Sequence, residues 1–144
     1  MGKQFIYEIY IRASRAQVWQ GISHGEFTRR YFYATRVESD WQPGSPVRYT
    51  YDDGRLAVDG EVVACEPETE LVITWLPHYD ETSKAEGHTQ VRYRLDDFEG
   101  QTRLRVEHSG FAEDSALYTG IAEGWPWILS GLKSELENEV ARAA

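Results

Sequence analysis

Cysteine is all but missing from this chain of 144 residues. A lone Cys65 cannot form an intrachain disulfide and cannot build a cysteine-based zinc site. Positive charge is also scarce: 15 Lys and Arg stand against 24 Asp and Glu, for a net charge of −9. An acidic surface repels phosphate backbones, and no run of Lys or Arg is interleaved with aromatics, so nucleic acid is set aside as a partner. No apolar run approaches the roughly 20 residues that span a bilayer, so no membrane partner is expected. Met1-Gly2-Lys3-Gln4 leads straight into a strand pattern and predicts no signal peptide. Gly2 invites a check for myristoylation, but the sixth position is Ile6 where the motif has Ser or Thr. No glycine-rich phosphate loop and no serine nucleophile elbow are present. The four histidines, His24, His78, His88 and His108, are scattered, with no pair at a ligand spacing beside a third ligand. These absences predict a cytoplasmic protein of one domain over residues 1–144, with no metal, no cofactor and no assigned catalytic residue.

Aromatic residues are plentiful. Five Trp, nine Tyr and five Phe make up 13% of the chain. Such side chains fill a core, and they can also wall a cavity without collapsing it.

The segment from Asp114 to Arg142 organises the rest. Apolar residues recur at Ile121, Trp125, Ile128, Leu129, Leu132, Leu136 and Val140, the spacing of a helix with one buried face. Asp114 or Ser115 can cap its start. Gly124 and Pro126 interrupt it, and proline withholds one helical N–H, so a kink or restart is expected there.

Ahead of this helix the pattern is mostly strand. Phe5, Tyr7, Ile9 and Ile11 alternate with polar residues. Ser14-Arg15-Ala16-Gln17 reads as a capping box opening a helix with Val18, Trp19 and Ile22 on its apolar side, and Gly25 is expected to end it. A second short helix is expected over residues 26–32. Strands follow at residues 35–38, 47–51, 56–65, 70–76, 89–95 and 102–108. Asp52-Asp53-Gly54 closes a hairpin, Gly60 suggests a bulge, and residues 78–86 read as a flexible loop. Short links make the sheet an antiparallel meander. Its apolar face needs a cover, and the final helix alone is long enough. The fold class is therefore α+β: a curved antiparallel sheet of six or seven strands wrapped around a long C-terminal helix, with two short helices after the first strand.

Several stretches resemble a known family. They are Ile11-Arg12-Ala13-Ser14-Arg15-Ala16-Gln17-Val18-Trp19, Trp41-Gln42-Pro43-Gly44, Glu70-Leu71-Val72-Ile73-Thr74-Trp75, Thr102-Arg103-Leu104 with His108-Ser109-Gly110-Phe111, and Gly124-Trp125 with Leu129-Ser130-Gly131-Leu132-Lys133. In this order they resemble the SRPBCC superfamily, the START-like helix-grip proteins. The closest likeness is to small bacterial members grouped with the C-terminal domain of the activator of the ninety-kilodalton heat-shock-protein ATPase. The resemblance implies a helix-grip fold, and it leaves a heat-shock ATPase and a second copy of the chain open as partners. It departs at Ser23-His24, where an acidic residue is usual, and at Tyr31, where tryptophan is frequent.

Strand parity and the resemblance together nominate a ligand-binding set between sheet and helix. Tyr49, Tyr51, Trp75, Tyr93, Phe111, Trp125 and Leu129 are expected to face the interior, with Phe32 and Trp41 near the opening. His108 shares parity with Leu104 and Val106 and is the one polar group in the set. It either bonds a backbone carbonyl near the rim or orients a ligand. Asp59 and Glu61 share a strand face but are expected to be solvated, because Val58, Val62 and Ala64 claim the interior. The partner this set fits is a small hydrophobic molecule. An enzyme resembling polyketide cyclases would need ionisable groups converging in the cavity, and only His108 with several tyrosines is on offer.

Overall fold

The computed structural model describes residues 3–143. Met1 and Gly2, where the myristoylation check falls, and Ala144 lie outside them. The elements run β1 (Phe5–Ile11), α1 (Arg15–Ser23), α2 (Gly25–Tyr31), β2 (Thr35–Glu38), β3 (Pro46–Tyr51), β4 (Leu56–Glu66), β5 (Glu70–Pro77), α3 (Glu81–Ala85), β6 (Thr89–Phe98), β7 (Gln101–Ser109) and α4 (Ala116–Ala143). The strands form one curled seven-stranded sheet in the order β1-β7-β6-β5-β4-β3-β2. All pairings are antiparallel. From β2 to β7 this is the meander the short links require. β1 then joins the last strand, with Phe5 opposite His108 and Ile11 opposite Thr102.

Alternation decides the faces. In β7, Thr102, Leu104, Val106 and His108 are buried; in β6, so are Thr89, Val91, Tyr93 and Leu95. Arg103, Arg105, Glu107 and Arg92 project from the opposite face, where Arg105 pairs with Glu8 and Glu107. The inward set meets the stripe of α4, whose buried residues are Leu117, Ile121, Trp125, Ile128, Leu129, Leu132 and Leu136. Each large side chain fully buried in this way contributes about 1.5–3 kcal/mol. The far end of α4 is fastened as well. Glu137 accepts from the Arg12 backbone N–H at 2.9 Å and from Lys133 Nζ at 2.6 Å, while Lys133 also donates to the Tyr10 carbonyl.

Local sequence explains most boundaries. Ser14 Oγ accepts from Gln17 N–H, and Gln17 Oε1 accepts from Ser14 N–H, completing the capping box. Ser115 caps α4 by accepting from Tyr118 N–H. Four expectations need correcting. Helix α4 does not restart at Pro126: it continues through it from Ala116 to Ala143, held by packing on both sides although proline withholds one helical N–H. Gly25 opens α2 and does not end α1; a Cβ there would sit 2.9 Å from the Val37 carbonyl, so its bareness admits β2. The register of β4 shifts between Val62 and Ala64 against β5 and at Ala57 against β3, not at Gly60. At Gly60 the β5 backbone comes so close that a Cβ would overlap the Thr74 carbonyl at 1.8 Å. Finally, residues 78–86 are not all loop. Asp80 accepts from the Ser83 N–H and hydroxyl and starts the one-turn α3.

Candidate functional site

Sheet and helix do not close everywhere. Beside the first half of α4 lies a cavity of about 240 Å³. The α2–β2 junction contributes Phe32, Tyr33 and Thr35 to its wall, and β3 contributes Tyr51. Ala57 and Val58 come from β4, Trp75 from β5, and Tyr79 from the segment before α3. Helix α4 supplies Gly120, Ile121, Gly124, Trp125 and Ile128. No residue of this lining carries a formal charge. An engineered apolar cavity of about 150 Å³ takes up benzene, and sites for drug-sized ligands begin at roughly 300 Å³. The volume here suits two or three fused rings.

The mouth is set by a turn. Thr35 N–H donates to the Phe32 carbonyl at 3.0 Å, and Thr35 Oγ1 donates to it at 2.6 Å. The two central residues, Tyr33 and Ala34, have φ of 51° and 57°. Two consecutive side-chain-bearing residues in the left-handed region are strained, by about 1–2 kcal/mol each. Thr28 holds the strained turn from beneath: its hydroxyl donates to the Thr35 carbonyl and accepts from Val37 N–H. The turn throws Tyr33 across to α4, where its hydroxyl lies 3.5 Å from the place a Cβ would take on Gly124. Burial pushes the Tyr79 phenol up, and the Tyr33 and Tyr51 phenols nearby push it further. Burial raises the Tyr33 phenol as well, so Tyr33 and Tyr79 stay neutral hydroxyls near neutral pH.

The nominated residues divide. Phe32, Tyr51, Trp75 and Trp125 line this cavity, whereas Trp41, Tyr49, Tyr93, His108, Phe111 and Leu129 do not. Trp41 packs on Trp19, with ring centroids 6.4 Å apart. Tyr49 stacks behind Phe32 at 4.7 Å, and Tyr93 meets Trp125 edge-on at 6.0 Å. Phe111 lies between His108 and Tyr118, and Leu129 is buried in the core. Burial raises the Tyr49 phenol to about 12. Asp59 is partly exposed and meets His78 Nε2 at 2.7 Å.

His108 is 0% exposed and bonded at both ring nitrogens. Trp125 Nε1–H donates to Nδ1 at 3.0 Å. An indole can only donate, so Nδ1 is bare and Nε2 carries the proton. That proton goes to Thr89 Oγ1 at 2.7 Å, and the Thr89 hydroxyl passes its own to the Trp75 carbonyl. Burial lowers the His108 pKa to about 3. The ring is a neutral strut that orients Trp125, with partners other than the rim carbonyl considered from the sequence.

Sequence reasoning does not nominate Tyr33, Thr35, Ala57, Tyr79 or Gly120, and reads Gly124 as an interruption of the helix and as part of the family resemblance, not as a wall residue. One signal was available: Gly120 and Gly124 lie four apart and leave one face of the helix bare. Tyr33 had no comparable signal, because nothing local marks a tyrosine for a left-handed turn.

The comparisons agree with this architecture. A crystallised protein from Mesorhizobium loti is 23% identical, with a TM-score of 0.81 over 94% of this chain and 98% of its own. An Hsp90 activator from Plasmodium falciparum is 14% identical, with a TM-score of 0.76 over 94% of this chain and 96% of its own. The Aha1 dimer of Colwellia psychrerythraea, 20% identical, gives a TM-score of 0.75 over 94% and 96%. At these identities the likeness is one of fold. None of the curated proteins matches the sequence. A family model described as activator of Hsp90 ATPase homolog 1-like protein matches residues 12–137, nearly the whole sheet and most of α4, and the chain belongs to that family.

Proposed function

We propose that this protein binds a small hydrophobic or aromatic molecule in the cavity between its sheet and α4. One observation carries the reading: a cavity of about 240 Å³ walled by Phe32, Tyr51, Trp75, Ile121 and Trp125, with no charged side chain in its lining. Removing ligand surface from water there contributes about 25 cal/mol per Å² before the entropy of association is subtracted. The wall is made of rings, aliphatic groups and hydroxyls and holds no charged side chain, which favours binding of an uncharged apolar molecule. On this reading the protein acts in the cytoplasm as one domain and draws on no cofactor.

Titration with 1-aminoanthracene, whose fluorescence rises in apolar surroundings, tests this. Saturable enhancement is expected, together with a loss of at least tenfold in affinity for Gly124→Leu, whose side chain would enter the cavity. Non-saturable enhancement, or an affinity that Gly124→Leu leaves unchanged, refutes the reading.

The family match favours one second reading, stimulation of an Hsp90 ATPase through the outer surface. Trp127, 68% exposed on α4 beside Arg29 and Arg30 of α2, is the natural contact for it. ATPase stimulation that Trp127→Ala abolishes and Gly124→Leu preserves would support this second reading over the first.

A further inference from the structure

The cavity wall carries few polar side chains, and half of them have nothing to offer a guest. Thr35 Oγ1 donates to the Phe32 carbonyl, and the Trp125 indole N–H goes to His108. The Trp75 indole nitrogen is shut off even from water. What remains is three phenols, Tyr33, Tyr51 and Tyr79. They arrive from three places in the chain: the turn after α2, the end of β3, and the segment before α3. Tyr33 and Tyr79 are 53% and 52% exposed, and Tyr51 is half-buried, so the three stand between water and the apolar interior. The Tyr33 hydroxyl reaches α4, 3.5 Å from the place a Cβ would take on the wall residue Gly124. Tyr79 stands edge-on to Trp75, with ring centroids 6.3 Å apart. Its phenol is raised by burial first and by the Tyr33 and Tyr51 phenols next. The Tyr79 hydroxyl is therefore turned toward the protein, with the other two close by. The hydrogen-bonding capacity left in the wall is gathered at the mouth.

Building on the ligand reading, we propose that the occupant is an uncharged aromatic molecule with a hydroxyl or carbonyl oxygen at one end. The rings lie inside, and the oxygen sits at the mouth among the hydroxyls of Tyr33, Tyr51 and Tyr79. A phenol both donates and accepts, so the three can serve either kind of oxygen. Turned inward, the same oxygen would give up its water and meet only apolar or already bonded groups, which is costly. One orientation is thereby selected, as a few polar groups in an apolar site commonly do. A purely apolar molecule of the same outline gains from burial alone. Charge is disfavoured because the lining offers no counter-ion, and an unpaired ion is far more costly to bury than a dipole.

Naphthalene and 2-naphthol separate the rings from the oxygen: they share one ring system, and 2-naphthol alone carries a hydroxyl. At pH 7, where 2-naphthol is uncharged, each is titrated into the wild-type protein and into a variant combining Tyr33→Phe, Tyr51→Phe and Tyr79→Phe. The variant keeps every ring of the wall and removes only the three hydroxyls. It should cost 2-naphthol about tenfold more affinity than it costs naphthalene. Tyr79→Phe alone should account for about threefold of that difference, and it decides the matter if the triple variant does not fold. Equal losses for the two probes, or no loss for either, overturn the place of the oxygen at the mouth while leaving an apolar cavity standing. Binding of neither probe to the wild-type protein overturns the ligand reading itself, and the proposal with it.

Discussion

Helix α4 passes the same sheet twice over, once on either side of Trp125, and the two passages end differently. Past Ile128, which still borders the cavity, it offers Leu129, Leu132 and Leu136 to the core that also holds Ile11, Val18 and Ile22, and the space fills. Ahead of Trp125 it offers Gly120 and Gly124, and the space stays open. The bare positions tell the same story. A Cβ on Gly131 would lie 3.0 Å from Tyr31 Cβ, while one on Gly120 would meet nothing within 4 Å. Closure is thus set residue by residue along one rod, by side-chain volume and not by the path of the backbone. The filled half supplies stability, and on the proposed function the open half supplies the wall that meets the ligand.

The largest expected difference comes from truncating each half in turn. Leu132 is 0% exposed and surrounded on every side. Leu132→Ala should cost about 4 kcal/mol, the transfer term plus an unrelieved cavity. Ile121 already borders empty space, and Ile121→Ala should cost only about 2 kcal/mol. Urea denaturation at pH 7 measures both. Equal losses would mean that the open half is packed as tightly as the closed one, and the comparison would fail.

A second effect lies at the boundary, where His108 fixes Trp125. Its folded pKa, about 3, lies below the ordinary histidine value of 6.5. Between those two values the unfolded chain binds a proton that the folded chain refuses, so falling pH favours unfolding. The contribution is complete above pH 6.5 and is lost at up to about 1.4 kcal/mol per pH unit on the way down to 3. His108→Asn keeps an acceptor for the indole and removes the titration. The variant should be about 2 kcal/mol less stable at pH 7, and its stability should fall less steeply than the wild type's from pH 6.5 to 4. Parallel slopes would show that the ring is not held neutral.

The closed half was the legible one. Period-two alternation over residues 89–95 and 102–108 and the stripe of α4 report burial directly, because each residue's face follows from its neighbours. Strand parity points Trp75 inward and the helical stripe points Trp125 inward, and both are buried. Neither could say whether an inward ring meets another ring or a void, since that depends on the size of what stands opposite. Tyr49 and Tyr93 point inward as expected and find protein; Tyr51 does the same and borders the cavity. Tyr79 escaped notice for another reason. The Asp80–Ser83 cap that turns its loop into α3 is a visible signal, and it was outweighed by the polar character of residues 78–86. A cavity is a difference between volumes that are far apart in sequence, and single residues do not announce it.

The smallest effect makes the sharpest comparison, because it uses one substitution in one helix. Gly120→Ala and Gly131→Ala each replace a helix-interior glycine, and each should gain about 1 kcal/mol from reduced backbone entropy in the unfolded chain. At Gly120 there is room for the methyl group, so the gain should appear in full as a rise in Tm. At Gly131 the methyl group meets Tyr31, which is buried and bonded to the Gly21 carbonyl and so cannot step aside. Overpacking there should cancel the gain and leave the variant about 0.5–1 kcal/mol below the wild type. Helix propensity is common to both variants, so the difference between them measures packing alone. If both substitutions raise Tm by the same amount, the contact with Tyr31 is loose, and the contrast drawn between the two halves of α4 does not reach this far along the helix.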